Sequence, residues 1–306
     1  MRKLDDSLDR LGRPLRRWSA MFDWHPILGC TPCSPACLHC ASARWLNNLR
    51  KPYLSQLIRH INDGRVARLL GEERTVPIFN GTVKLRPSKL KEPLYLAPET
   101  QVFVCGCSDA FHIEVPFEFI RKIVRVIEEC TTLTFFLITR RPDRAIKFAE
   151  WYGKSFPDNL WIGTSAETQP LFDARASSLR LIPAKYRGIS LKPLHKPIDI
   201  TTQAGAFNLV IAGGESGLGS RPVHTDWLRK IRDDSQQLGA AFQFHQWGSW
   251  GLKCGSTCTA HIWVTPYGEL NIGGIGQMMH RVGCVASGRL LDGEEWDQYP
   301  DTLGKS

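Results

Sequence analysis

From Gln101 onward the chain repeats one pattern: a short apolar run, a polar turn, then an amphipathic stretch. The runs are QVFVCGCS (101–108), LTFFLITR (133–140), NLWIGTSA (159–166), YRGISLKP (186–193), NLVIAGGES (208–216) and AFQFHQWG (241–248). Continuous apolar runs bounded by Gly, Pro, Ser or Asp read as strands covered on both faces, which is the habit of parallel sheets. Between them lie helical patterns. In 116–131 the apolar positions Phe119, Ile120, Ile123, Val124, Val126 and Ile127 recur on one face. In 224–239, Thr225 or Asp226 can cap the start and Gly239 the end. Another short strand, near 20–28, brings the total to about six or seven. Such alternation implies an α/β fold built as a full or partial (β/α) barrel, with a doubly wound open sheet as the alternative.

In either architecture ligands gather beyond the C-terminal ends of the strands. Polar residues cluster there: Asp109 after the first run, Arg140 and Arg141 after the second, and Ser165 with Glu167 after the third. Ser190 with Lys192, Gly213-Gly214-Glu215-Ser216 and His245 follow. Asp109 and His112 suit acid–base work or substrate positioning, and an aspartate capping the next helix is an equal reading. The paired glycines let backbone approach a ligand closely, and Glu215 could pair with an amine or a ribose hydroxyl; a glycine turn with a capping glutamate is the bland alternative. Cys105 and Cys107 would share one face of their strand, as buried small fillers.

The strand near 20–28 leads straight into GCTPCSPACLHC, which places four of the ten cysteines between Cys30 and Cys40. The N-terminal stretch lacks the apolar core of a signal peptide, and no run approaches the roughly 18 apolar residues of a membrane span. A cytoplasmic location without membrane contact is therefore expected, and there such crowding favours metal over disulfide. Cys33, Cys37 and Cys40 give C-x3-C-x2-C, the spacing of radical-SAM enzymes; Cys30, Cys37 and Cys40 give C-x6-C-x2-C. Three thiolates can hold a [4Fe–4S] cluster with one iron open, whereas all four could close a zinc knot. Cys254, Cys258 and His261, with Cys284, form a looser set; the long intervening loop favours separate thiols over zinc.

Net charge is +9, and residues 41–95 hold eleven Lys/Arg against four acids. That surplus, beside the cysteines, would steer a polyanion, although a solvated helical face carries charge equally well. Three regions follow: a basic arm (1–19), the barrel (20–250) with its basic insertion (41–95), and a C-terminal extension (251–306).

Eight ordered stretches then carry a resemblance. They are WHPILGC…SPACLHC, VFVCGCSDAFHIEVP, FFLITRRPDR, LWIGTSAETQ, ISLKPL, VIAGGESGLGSRPVH, QFHQWGSW and VGCVASGRLLDGEEWDQYP. Together they resemble a phage- and plasmid-associated family of radical-SAM-like proteins of unknown function with a three-cysteine motif. The resemblance implies a radical-SAM-type barrel and a [4Fe–4S] cluster on Cys30, Cys37 and Cys40, leaving Cys33 as an alternative ligand. It further implies S-adenosyl-L-methionine (SAM) at Ser165, Glu167 and Gly213 to Ser216, and a reductant such as a flavodoxin or ferredoxin. The phage association makes a DNA base the expected substrate, extruded or single-stranded, held by basic residues with Trp45, Trp247 or Trp250 stacking on it. The chain departs from the family at Ala41, at Lys192 where a glutamate is usual, at His245 where a lysine is usual, and at Cys105 and Cys107. Asp109, His112, Lys192 and His245 are the candidate catalytic groups. A zinc-stabilised nucleic-acid-binding module and a non-catalytic barrel binding SAM or a nucleotide are the competing functions.

Overall fold

A computed structural model describes residues 21–62, 75–217, 219–254 and 258–300. The basic arm (1–19) and part of the insertion, including Arg65, Arg68 and Arg74, lie outside them.

The strands run β1 (Phe22–Trp24), β2 (Ile27–Leu28), β3 (Ile58–Asn62), β4 (Thr75–Phe79), β5 (Lys84–Leu85), β6 (Gln101–Val104), β7 (Thr134–Thr139) and β8 (Leu160–Ser165). They continue as β9 (Tyr186–Leu191), β10 (Leu209–Gly213), β11 (Ala241–Gln246), β12 (Trp250–Gly251), β13 (His261–Val264), β14 (Leu270–Asn271) and β15 (Gln277–Arg281). The helices are α1 (Ala41–Asn48), α2 (Pro52–Ser55), α3 (Phe117–Glu129), α4 (Pro142–Tyr152), α5 (Gln169–Leu181) and α6 (Thr225–Gln237).

Among the described residues, seven strands form one all-parallel sheet in the order β1-β6-β7-β8-β9-β10-β11. The order follows the chain without reversal, so there is no switch point of the doubly wound kind. The sheet stays open between β1 and β11 and makes a partial barrel.

The apolar runs form these strands because helices cover one face and side chains fill the other. Val104, Phe135, Leu137, Ile162, Val210 and Phe242 point outward into the main core, beneath α3 to α6. All six apolar positions expected of α3 are buried there. At α6 the cap is His224, whose Nδ1 accepts from the Asp226 amide, rather than Thr225 or Asp226. No helix links β9 to β10; a short 3-10 turn (Ile200–Gln203) does.

The inner face carries Phe103, Phe136, Trp161, Tyr186, Leu209 and Ile211, with Met21 and Tyr299 packed against them. Trp161 stacks between Phe136 and Tyr186, with ring centroids 5.9 and 4.4 Å away. Beside these rings lies a shallow, open depression lined by Ile138, Gly163, Gly188, Ser190 and Ile211 among others.

Beyond β11 the chain builds a four-stranded sheet, β12-β15-β13-β14, and then returns. The Phe244 amide donates to the Trp296 carbonyl (2.9 Å) and the Gln298 amide to the Phe242 carbonyl (3.1 Å). The extension thus covers the edge of β11, which would otherwise expose a row of unpaired backbone groups. No helix among the described residues is long and apolar enough to cross a membrane.

Two expectations fail locally. The first run stops being a strand at Val104, because Cys105 turns into the left-handed region (φ 60°). Cys105 then joins the main core while Cys107 joins a separate cluster with Leu28, Leu46 and Phe79, so the two thiols do not share a face. Trp247 and Trp250 are 2% and 0% exposed and cannot stack on a base, whereas Trp45 is 48% exposed.

Candidate functional site

The cysteine loop leaves the sheet at its C-terminal edge. Gly29, just past β2, bridges to Ser108 and donates its amide to the Cys107 carbonyl (3.2 Å). The Cys30 carbonyl accepts from the Gly81 amide (3.2 Å). A 3-10 turn over Pro35–His39 then folds the loop back, and α1 starts immediately after Cys40. All four thiols are free; Cys33 is exposed, and Cys30, Cys37 and Cys40 are half-buried. Cys30 and Cys40 pack on the cluster formed by Leu28, Ala43, Leu46, Leu54, Leu57, Phe79 and Cys107.

Consecutive arginines from the end of β7 stand over these sulfurs. Arg140 donates to Cys37 Sγ (3.2 Å) and to Ser34 Oγ, and the Cys33 amide also donates to Cys37 Sγ (3.3 Å). A hydrogen bond from the Cys33 thiol, aided by the Arg140 charge and opposed by burial, holds the Cys37 thiol well below its ordinary range; Cys33 moves the other way. Arg141 Nη1 sits 3.9 Å from Cys30 Sγ, but burial and the Asp109 charge push that thiol up to about 12. Within the loop, then, Cys37 is favoured as the thiolate, while Cys30 and Cys33 are shifted toward the thiol.

Carboxylates from the strands on either side of β7 fix the arginines. Asp109, past β6, accepts from Thr139 Oγ1 (2.7 Å), the Arg140 amide (3.1 Å), the Phe111 amide (3.0 Å) and Arg141 Nη1 (2.8 Å). It caps no helix, since the next one begins at Phe117 behind Pro116; the Phe111 amide closes only a local turn on it. Glu167, past β8, accepts from the Ala36 amide within the cysteine loop (3.0 Å) and lies 3.8 Å from Arg140 and 3.7 Å from Arg175. Burial works against its ionisation, yet Arg140 and the further donors around it draw its pKa down. His112 Nε2 lies 2.8 Å from Thr31 Oγ1, on the same loop. Ser165 enters mainly through its carbonyl, which accepts from Arg175 (2.5 Å).

Past β10, the backbone of Gly213 and Gly214 packs on β11. A Cβ on Gly214 would fall 1.9 Å from the Trp247 carbonyl oxygen, and one on Gly213 would fall 2.9 Å from that of Gln246. These glycines therefore serve strand packing. Glu215 is buried and accepts from the Arg221 amide (2.9 Å), its Nε (3.0 Å) and its Nη2 (3.0 Å), with His195 Nε2 at 3.2 Å. Burial opposes its charge, but the hydrogen bonds of His195 and Arg221 outweigh that and pull its pKa far down. Ser216 Oγ accepts from Gln246 Nε2 (2.8 Å).

Arg44, from α1, connects this corner to the cysteines. Its guanidinium lies against Gly217, where a Cβ would come within 2.4 Å of Cζ, and its amide donates to the Cys40 carbonyl (3.1 Å); burial lowers its pKa, against the pull of the Glu215 charge. Its Nη1 is buried and makes no hydrogen bond. Beside the last strands Lys192 Nζ meets His245 Nε2 at 2.9 Å. A protonated lysine can only donate there, which requires the Nε2 lone pair to accept.

Asp109, His112, Glu167 and the cysteines thus share one network, and Arg44 joins Glu215 to it. Lys192 and His245 meet each other beside the last strands. Reading the sequence placed Arg140 and Arg141 on the rim but gave them no role; two arginines directly after an apolar strand were the available signal. Arg175, His195 and Arg221 had no such mark, since each arrives through tertiary folding.

Fold and site together define an open, parallel α/β half-barrel whose C-terminal edge carries a four-cysteine loop under an arginine–carboxylate network. Residues 17–300 match the family described as "Protein of unknown function (DUF5131)", and the chain belongs to that family. No curated protein and no solved structure matches the chain.

Proposed function

We propose that the protein is a radical-SAM-type iron–sulfur enzyme acting on a nucleic-acid base. The observation that carries this reading is the cysteine loop itself: four free thiols at the C-terminal edge of a parallel half-barrel, under Arg140 and Arg141. The donor set fits a [4Fe–4S] cluster, since such clusters take thiolates and the arginines favour sulfur in its anionic form. Cys30, Cys37 and Cys40, the half-buried three, would hold it, with the exposed Cys33 as the alternative. When bound, the cluster supplies the electron that cleaves SAM to methionine and a 5′-deoxyadenosyl radical, which takes hydrogen from the substrate.

The chain's own part is positioning. Asp109 aims Arg141, and Glu167 aims Arg140 while tying down the Ala36 amide. Arg44 offers an unpaired donor beside Cys40, suited to a carboxylate such as that of SAM. The aromatic inner face takes an apolar or planar group and sheds water. Anaerobic reconstitution with iron and sulfide, then dithionite and SAM, is expected to yield 5′-deoxyadenosine. Stoichiometric zinc without iron would replace this reading with a zinc-stabilised binding module. An intact cluster with bound SAM and no 5′-deoxyadenosine would replace it with a non-catalytic barrel.

The nucleic-acid part rests on Arg50, Lys51, Arg59 and His60, which are exposed together with the aromatics Trp45 and Tyr53. Basic groups can hold phosphates while rings stack on bases. Arg44 belongs to the interior, and Lys84, Arg86 and Lys89 bond to Gln56, the His25 carbonyl and Glu92. The variant Arg50→Glu/Lys51→Glu/Arg59→Glu should bind single-stranded DNA at least about tenfold more weakly at low salt, with a shallower salt dependence and an intact cluster. Unchanged affinity would reduce the segment to a solvated surface.

A further inference from the structure

Outside the cysteine loop, the four-stranded C-terminal sheet gathers a second set of soft ligands. The sulfurs of Cys254 and Cys258 and a ring nitrogen of His280 all lie within 4.8 Å of one another. Cys258 Sγ is 3.9 Å from His280 Nδ1. A tetrahedral zinc site, with bonds of about 2.3 Å to sulfur and 2.0 Å to nitrogen, sets its ligand atoms roughly 3.5–3.8 Å apart. Only small rotations separate the observed positions from that geometry.

A fourth ligand can come from the facing strand: His261 lies outside that 4.8 Å group and packs edge-on to Trp263 (5.5 Å), so it joins by turning its side chain. His261 on β13 is the direct antiparallel partner of His280 on β15, so both side chains leave the same face. The neighbouring pair, Ile262 and Met279, is buried on the other face, which puts the two histidines on the outer one. Two thiols and two imidazoles suit zinc, whereas hard cations prefer oxygen.

We infer that Cys254, Cys258, His261 and His280 form a structural zinc site that ties the segment after β12 to β13 and β15. Its effect reaches the mouth of the barrel. Just past β15, the amides of Val282 and Gly283 donate to the Ser249 carbonyl (3.1 and 3.0 Å). Ser249 Oγ in turn accepts from the Gly217 amide (2.7 Å), beside Glu215 and Arg44. Fixing β15 therefore fixes the loop against which Arg44 rests.

The test measures zinc in the full-length protein, purified from zinc-supplemented cells, for the wild type, Cys254→Ser/Cys258→Ser, Cys37→Ser/Cys40→Ser and the combination. About one zinc per chain is expected to survive the Cys37/Cys40 change and to vanish with the Cys254/Cys258 change. Because the double variant could lose metal by unfolding, His261→Ala is examined with it. That variant should stay folded by circular dichroism and weaken zinc binding at least about 10-fold, the scale that outer-shell losses alone reach. Cobalt substitution should give the absorption of a tetrahedral S2N2 site. Zinc that follows Cys37 and Cys40 alone, no zinc at all, or a Cys254–Cys258 disulfide by mass would overturn the site. Unchanged affinity in His261→Ala would overturn the four-ligand assignment.

Discussion

Replacing Cys37 by alanine is expected to strip the reconstituted protein of its cluster, from about four irons per chain to background, and to abolish 5′-deoxyadenosine formation. Cys37 is the thiol with the most support. The Cys33 amide and Arg140 both donate to its sulfur, and those bonds are strongest when the sulfur is an anion or a metal thiolate. Cys40→Ala should behave alike. Cys30→Ala and Cys33→Ala then separate the two possible triplets: loss with the first and retention with the second is the expected pattern. Reversal would move the site to Cys33, Cys37 and Cys40. Iron and sulfide analysis with EPR reads all four variants, and circular dichroism checks that each is folded.

The second large effect concerns stability. Glu215→Ala should cost about 3–5 kcal/mol at neutral pH, the scale for breaking a buried ion pair by removing one partner. The substitution leaves Arg221 without its carboxylate and removes the acid whose charge reaches Arg44. The sign with pH follows from the shift. The folded pKa of Glu215 lies below its ordinary value of 4.5, so its contribution is complete above that value and declines as pH falls below it. Denaturant midpoints measured from about pH 5 to pH 3 should therefore fall more steeply in the wild type than in Glu215→Gln. Glu167, Asp199 and Asp292 are also depressed and contribute acid sensitivity to both proteins, so the difference between the two slopes is the test. Equal slopes would remove Glu215 from the account.

The strands were legible because each parallel strand must be apolar on both faces, and that leaves an unbroken run in the sequence. Their ends were less so: the run 101–108 loses its strand at Cys105, whose positive φ has no mark in the residue type. The cysteine loop and the rim acids Asp109, Glu167 and Glu215 were visible because turn positions after strands carry few other constraints. Trp247 and Trp250 misled, since nothing in the sequence shows that the 288–290 segment folds back over the first and β15 pairs with the second. His280 was missed as a partner of Cys254 and Cys258 because cross-strand register, not spacing, brings it to them.

The pairing of β1 with β6 joins Phe22–Trp24 to Val102–Val104, about 80 residues further on. During synthesis, then, the cysteine loop emerges long before the strand that seats it, and Arg140 and Arg141 emerge later still. Until β7 is in place, Cys37 lacks the guanidinium at its sulfur. Closing so long a loop adds only a slowly growing entropic cost, but it delays the contact. The complete setting of the cysteine loop therefore exists only once the sheet has been built through β7.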